Sequence, residues 1–264
     1  MNSVTTEVER HLAFIRSAMY KLLAKSFLYP TQEVYDLVLS QSFQDSLADA
    51  LLMPNLSQEM EKDILTFREL MANNQKIPSR EELESEYNRL FAHLGSAKCP
   101  PYETEYGFDN VFQKTTAMAD IAGFYSAYGL EVADKNTERV DFISMELEFM
   151  SYLAMKEAYA REHGEQEHLE ICIDTQRKFL RDHLGRWISI FARILASATE
   201  NEFYRQLGKV TEDFLNSEAT ALGIELMKIS VPSRVTIEQP APFGCDGCVQ
   251  NSGPLTCEPN KFEV

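Results

Sequence analysis

The apolar side chains of this sequence recur at helical spacing from residue 8 to residue 222. In the first stretch one apolar stripe occupies every third or fourth position, at Val8, Leu12, Ile15, Met19 and Leu22. This spacing is typical of an amphipathic helix that buries one face. Proline and glycine are scarce, with 10 and 11 in 264 residues, and the prolines cluster between the periodic stretches. The pattern therefore predicts an all-α fold.

The helical pattern stops near Gly223, and the sequence beyond it has a different character. Residues 224–264 contain several proline turns and no helical period. We expect one all-helical domain over residues 1–223, built as a bundle of about eight to ten helices. Residues 224–264 are expected to form an irregular C-terminal tail that carries cysteines.

The composition excludes several classes of protein. Apolar residues make up 44% of the chain, too many for a wholly disordered protein. With 41 acidic and 25 basic side chains, the formal net charge is −16. We therefore expect no nucleic-acid partner, because phosphate binding normally needs a basic face. We also expect no membrane span, since no apolar stretch approaches the required ~20 residues.

The N-terminus and the cysteines indicate the compartment. The first seven residues lack the basic and apolar segments of a secretory signal. Five cysteines are few, and odd in number, for a disulfide framework, which indicates a reducing environment. We expect a soluble, acidic, cytoplasmic protein.

The longest predicted helix runs from about Asn136 to Glu162 and carries a narrow polar stripe. Asp141 and Glu148 lie on this stripe, seven residues apart. They either face a groove or form ordinary solvated surface. The rest of the helix circumference is mostly apolar, which predicts a central position in the bundle.

Glu146 falls within the apolar part of this helix. A carboxylate there must be paired, hydrogen-bonded or neutralised, because an isolated buried charge is very unfavourable. One interpretation is a ligand-facing or switch carboxylate. The interpretation we favour is a structural ion pair with an arginine of a neighbouring helix.

The segment around Pro100, Pro101 and Tyr102 holds several aromatic residues on extended, proline-set backbone. Such a segment is suited to gripping a peptide in extended or helical form. A packed loop whose rings complete the core fits the same sequence.

A pattern typical of metal binding lies in the tail, where Cys245 and Cys248 form a Cys-x-x-Cys turn and Cys257 follows nine residues later. Zinc or an iron–sulfur cluster needs a fourth ligand, such as Cys99, a histidine, an aspartate or a group from another subunit. Reduced thiols, or a reversible Cys245–Cys248 disulfide, fit the same spacing. The alternative function is therefore a metal- or Fe–S-binding accessory or redox protein.

Common enzyme motifs are absent from the sequence. Residues 165–168 hold one Glu-x-x-His, whereas a di-iron bundle needs two copies and two further glutamates. There is no His-Glu-x-x-His, P-loop, dinucleotide-binding or Gly-x-Ser-x-Gly motif, and histidines such as His183 are isolated. We therefore expect that the protein is not an enzyme.

Three motifs, in this order and spacing, resemble the TorD/DmsD/NarJ family of redox-enzyme maturation chaperones. They are Glu86-Tyr87-Asn88-Arg89-Leu90-Phe91, Pro100-Pro101-Tyr102-Glu103-Thr104-Glu105-Tyr106, and Glu138-Arg139-Val140-Asp141-Phe142 followed by Glu146-Leu147-Glu148-Phe149-Met150. The resemblance covers roughly residues 10–220. It is greatest to the chaperones of type II dimethyl-sulfoxide-reductase enzymes, whose clients include nitrate, selenate, chlorate and hydrocarbon-oxidising enzymes.

The resemblance implies a partner and a role. The partner would be the apo catalytic subunit of a molybdenum-containing oxidoreductase, often bound at its N-terminal leader, which in some clients is a twin-arginine signal. The chaperone would hold the subunit until the molybdenum cofactor is inserted and would delay its export. No cofactor of its own is required, and we expect a monomer or a homodimer.

The resemblance also implies the residues that bind the client or its leader, namely Tyr87, Leu90, Phe91, Pro101, Tyr102, Tyr106, Asp141, Phe142 and Glu148. An acidic groove with apolar walls suits a leader that bears arginines beside an apolar helix. The third motif departs from the family's common Pro-Asp-His, since this chain has Val140-Asp141-Phe142 and therefore lacks the histidine. On this placement we expect Asp141→Asn to weaken client binding and to leave the fold nearly intact.

Overall fold

The computed structural model describes residues 3–54, 56–73, 77–92, 97–108, 110–131 and 138–227, with side chains from residue 6 onward. This part of the chain forms ten α-helical segments: α1 (Ser3–Ser26), α2 (Gln32–Val38), α3 (Gln41–Ala50), α4 (Gln58–Ala72), α5 (Arg80–Phe91), α6 (Val111–Ala127), α7 (Ile143–His163), α8 (Gln166–Phe179), α9 (Gly185–Ala198) and α10 (Glu202–Leu222). A 3₁₀ turn, Glu103–Glu105, precedes α6, and a π turn, Leu180–Leu184, joins α8 to α9. The predicted all-α fold is confirmed.

The predicted C-terminal tail lies outside the described residues from position 228 onward. The division of the chain at residue 223 therefore stays a prediction. Among the described helices, none combines the length and apolarity that a membrane crossing needs.

Helix α5 begins at a capping box formed by Ser79 and Glu82. The Ser79 hydroxyl accepts from the backbone N–H of Glu82, and the Glu82 carboxylate accepts from the backbone N–H of Ser79. These two hydrogen bonds satisfy two backbone donors at the helix start. They fix the first residue of the helix that carries the first motif.

Helices α1 and α7 pack antiparallel, and serines line their contact. The hydroxyls of Ser17 and Ser151 each donate to the other's backbone carbonyl at 2.9 Å. Nearby, the Ser144 hydroxyl donates to the carbonyl of Ala24 at 2.7 Å. The predicted polar stripe also includes Ser144 and Ser151, and it is thus partly a buried packing face. Both serines are buried, whereas Glu148 is exposed.

A buried arginine joins α1 to three other helices. Arg16 donates from Nε to both carboxylate oxygens of Glu218 in α10 at 2.8 Å, and from Nη1 to Glu157 in α7 at 2.8 Å. Its Nη2 donates to the amide oxygen of Gln176 in α8 at 2.6 Å. Burial alone would lower the pKa of Arg16, but Glu218 and Glu157 hold it above its ordinary value.

The π turn between α8 and α9 ends at Gly185, where a side chain would not fit. A Cβ atom there would lie 2.4 Å from the carbonyl oxygen of Leu180 and 2.5 Å from Cδ2 of Leu226. The turn directs His183 inward, where the residue is 3% exposed.

We expect Arg16→Met to lower the free energy of unfolding by about 3–5 kcal/mol, because buried Glu218 then loses its cation and buried Glu157 keeps only Arg161. Urea unfolding followed by circular dichroism measures the change. The matched control is Arg10→Met on the same helix, whose exposed ion pair with Glu162 contributes at most ~1 kcal/mol. Equal effects of the two substitutions would contradict the structural role of Arg16.

Candidate functional site

The proline-containing segment lies beside the residues that precede α7. Tyr102 and Phe142 form an antiparallel bridge, the only extended pairing among the described residues. The backbone N–H of Ile143 donates to the carbonyl of Pro101 at 3.0 Å. Helix α7 therefore begins at Ile143 rather than near Asn136 as predicted, because the residues before it pair with another segment.

The buried carboxylate of Asp141 holds the Tyr102–Phe142 pairing in place. This fully buried carboxylate accepts from the backbone N–H of Thr104 at 3.0 Å and from the Thr104 hydroxyl at 2.8 Å. Arg139 donates to the same carboxylate at 2.9 and 2.7 Å, and to Glu105 at 2.9 Å. The expectation that Asp141 faces a groove or solvent is wrong, because these buried donors occupy its oxygens.

Three tyrosines, of which Tyr29 is exposed and Tyr87 and Tyr102 are half-buried, form a surface next to this pairing. The rings of Tyr29 and Tyr87 meet edge to face with centroids 5.3 Å apart. The Tyr102 hydroxyl donates to the exposed carboxylate of Glu138 at 3.0 Å, and the Arg139 guanidinium lies 4.4 Å from the Tyr102 ring centroid. Burial, followed by the nearby Glu138, Tyr102 and Tyr29, raises the pKa of Tyr87. We call Tyr29, Tyr87, Tyr102 and Glu138 the tyrosine surface.

Most of the other motif residues are buried rather than presented to a partner. The buried set is Leu90, Phe91, Pro101, Tyr106 and Phe142. Tyr106 stacks on Trp187 with ring centroids 5.3 Å apart, and Phe142 packs against Tyr102 at 5.6 Å. These side chains therefore pack inside the fold, and their predicted role in client binding stays a prediction.

Glu148, the remaining motif residue, is exposed and lines a separate cavity of about 310 Å³. Its carboxylate lies 3.4 Å from Nζ of Lys25. Glu131, Met145 and Tyr152 line the same cavity. The structure thus brings Glu148 to a different place from the tyrosine surface.

Glu146 is fully buried on α7, and its partner is a tryptophan. Trp187 Nε1 donates to Oε2 of Glu146 at 3.2 Å, and Oε1 has no partner among the described residues. Burial and the nearby carboxylates of Glu103 and Asp141 raise the pKa of Glu146 well above its ordinary value. The predicted ion pair with an arginine is therefore wrong, and the environment favours the protonated acid.

His183 is a functional candidate that the sequence analysis missed. Its Nδ1 lies 3.3 Å from both carboxylate oxygens of buried Glu103, and its Nε2 lies 3.2 Å from Asp120 of α6. The three residues come from separate elements, and no local sequence pattern signals the π turn that directs His183 inward. The histidine connects the second motif to α6.

The described residues contain no group of three or more His, Cys, Asp or Glu side chains that could hold a metal ion. Cys245, Cys248 and Cys257 lie outside the described residues, so their metal site stays a prediction. Cys99, one candidate for the fourth ligand, is buried, and burial raises the pKa of its thiol to about 12. Because metals bind the thiolate, Cys99 is a poor ligand here.

We expect Asp141→Asn to lower the free energy of unfolding by roughly 2–3 kcal/mol, because the amide cannot satisfy Thr104 and Arg139 together. Thermal and urea unfolding measure the loss. The neighbouring Glu138→Gln, which changes an exposed acceptor, should stay within about 0.5 kcal/mol of wild type. Wild-type stability in Asp141→Asn would restore the expectation from sequence.

Glu146→Gln should make the protein increasingly more stable than wild type as the pH rises. Glutamine mimics the protonated acid and still accepts from Trp187. Because folding raises the pKa of Glu146, wild type loses stability from the ordinary pKa, ~4.3, up to the folded value, by about 1.4 kcal/mol per pH unit. Urea unfolding of both proteins between about pH 5 and about pH 8 measures the difference, and a constant difference contradicts a protonated Glu146.

Comparisons with known proteins show which family this chain resembles. A family model described as nitrate reductase delta subunit matches residues 53–193, slightly more than half of the chain. The matched range contains all three motifs and therefore the tyrosine surface apart from Tyr29.

Curated relatives cover much of the chain at moderate identity. The perchlorate reductase assembly chaperone protein of Dechloromonas aromatica strain RCB is 25% identical over 232 residues, which span 85% of this chain and 96% of the relative. The chlorate reductase assembly chaperone protein of Ideonella dechloratans is 29% identical over 173 residues, 63% of this chain and 84% of the relative. The chaperone protein TorD of Vibrio cholerae serotype O1 strain M66-2 is 27% identical over 111 residues, 42% of this chain and 49% of the relative.

These matches confirm the resemblance that the three motifs indicate. The motifs, the all-helical fold and the range of the family model point to one assignment. The chain belongs to the nitrate reductase delta subunit family.

Proposed function

We propose that this protein is a system-specific cytoplasmic chaperone that binds the apo catalytic subunit of a molybdenum-containing oxidoreductase. It holds the subunit, partly through the N-terminal leader, until the molybdenum cofactor is inserted, and it delays export until then. Support comes from relatives named as assembly chaperones of perchlorate and chlorate reductases.

The observation that carries the proposal is the tyrosine surface and the way it is held. Tyr102 is fixed by its bridge to Phe142, and the adjoining Thr104 is fastened by buried Asp141. A partly exposed aromatic surface on ordered backbone binds a peptide with little loss of conformational entropy. Tyrosines suit this role because each combines a large apolar ring with a polar hydroxyl.

The chemistry of this surface fits a leader with an arginine next to apolar residues. Burial and Glu138 raise the pKa of Tyr102 to about 12, so its hydroxyl remains a hydrogen-bond donor near neutral pH. The exposed Glu138 carboxylate can pair with a guanidinium of the leader. The net charge of −16 accelerates encounter with a basic segment.

Binding rather than catalysis is the activity we propose, with no cofactor required. The buried carboxylates Glu103, Asp141 and Glu146 are engaged inside the fold and are not exposed to a substrate. The alternative, a metal- or Fe–S-binding accessory protein, gains no support from the relatives, which carry chaperone names.

Anaerobic affinity purification of the tagged full chain from its native host tests the proposal. We expect a molybdenum-enzyme catalytic subunit that retains its leader to copurify, with recovery reduced about fivefold or more by Tyr102→Ala. Mass spectrometry identifies the subunit and measures its recovery. Circular dichroism verifies that the variant is folded.

The matched control is Tyr159→Ala, since Tyr159 is 51% exposed on α7 and lies outside the three motifs. Its recovery of the client should equal that of wild type. Absence of any molybdenum-enzyme subunit overturns the proposed function. Equal recovery with Tyr102→Ala overturns the role of the tyrosine surface.

A further inference from the structure

A second exposed surface runs along one face of α6. Phe112 is 86% exposed and its neighbour Val111 is 76% exposed, although both side chains are apolar. At steps of four, three and four residues from Phe112 come Thr116, Ala119 and Gly123, all exposed. A Cβ atom on Gly123 would meet no atom of the described residues within 4 Å. This face is therefore open over about three helical turns.

The opposite face of α6 is firmly anchored. Ile121 is completely buried, and the Tyr125 hydroxyl donates to the carbonyl of Val140 at 3.0 Å. The ring of Phe124 packs edge to face on Phe179 of α8, with centroids 5.4 Å apart. The helix is thus fixed in place, and its exposed apolar face is a property of a packed element.

The open face borders a groove of about 880 Å³ between α6 and the π turn. The side chain of Asp120, which is 65% exposed, and Glu103, at the buried side, give the groove acidic charge, while the exposed Asp182 is paired with Arg181 at 2.6 Å. Arg186 is the basic residue of the lining, and its guanidinium lies 5.5 Å from the ring centroid of Phe108. We call this feature, with Phe112, the α6 groove.

We propose that the α6 groove binds a helical segment of the client that carries an apolar face with an arginine or lysine beside it. Phe112 is the apolar anchor, and the small Ala119 and Gly123 let a second helix approach closely. Asp120 pairs with the cation of the incoming segment. The proposal rests on the proposed function for the identity of the client.

A second copy of this chain suits the groove less well than a basic client segment. Two chains of net charge −16 repel each other, and the groove would meet its own acidic counterpart. A basic segment instead gains from the same charge. The groove therefore favours a partner that carries positive charge as well as an apolar face.

The probe is a fluorescein-labelled synthetic peptide of about twenty residues, with leucines at helical spacing and two arginines beside them. A counterpart peptide has glutamates in place of the arginines. Fluorescence anisotropy with the full chain measures both affinities. We expect the arginine peptide to bind, with a Kd raised about five- to tenfold by Phe112→Ala and by Asp120→Asn, and the glutamate peptide to bind negligibly.

Matched controls are Ile171→Ala on α8 and Asp49→Asn on α3, both at exposed positions. They should leave the Kd unchanged, and circular dichroism verifies that all variants are folded. Failure of wild type to bind the arginine peptide overturns the inference. So does equal binding by Phe112→Ala and Asp120→Asn, or equal binding of the glutamate peptide.

Two further results separate this inference from its alternatives. Loss of peptide binding in Tyr102→Ala, with unchanged binding by Phe112→Ala and Asp120→Asn, places the peptide on the tyrosine surface, which overturns the α6 groove and leaves the proposed function intact. A concentration-dependent dimer that Phe112→Ala abolishes, seen by analytical ultracentrifugation, assigns the face to a second copy and likewise overturns it. Client recovery in the host tests the proposed function independently.

Discussion

The helical frame depends on a single buried cation. Arg16 binds carboxylates of α7 and α10 and an amide of α8 at the same time. Sliding α1 past α10 would separate Arg16 from the buried carboxylate of Glu218, which is far more costly than losing an exposed ion pair. Helix α7 is thereby fixed in register against α1, and the residues just before α7 carry the pairing that supports the tyrosine surface.

The motifs act mainly by building this support. The carboxylate of Asp141 is hydrogen-bonded to Thr104 and Arg139, and the ring of Tyr106 is packed against Trp187. A motif residue can therefore be essential for client binding without contacting the client, because it sets the position of a partly exposed neighbour such as Tyr102. Substitutions at buried and exposed motif positions consequently differ in their effect on stability, and this difference distinguishes support from contact.

The sequence predicts local features well and long-range pairings poorly. Helical periodicity gives the all-α fold, and the capping box at Ser79 requires only residues close in the chain. The sequence correctly places Glu146 in an apolar environment. Its partner Trp187 is distant in sequence, and the expected ion pair with an arginine is wrong. The stripe through Ser144 and Ser151 misleads for a different reason. Serine is polar yet small, and its hydroxyl is satisfied by the carbonyls of a closely packed helix.

The tyrosine surface and the α6 groove share one short segment. Tyr102 belongs to the first, while the next residue, Glu103, lies at the buried side of the second and contacts His183. The backbone N–H of Glu103 donates to the carbonyl of Asp141 at 3.0 Å, so the segment is held on both sides. Both surfaces are therefore ordered before a partner arrives, and little of the interaction energy is lost to ordering them. A chaperone that must recognise a short client segment with few contacts benefits from this rigidity.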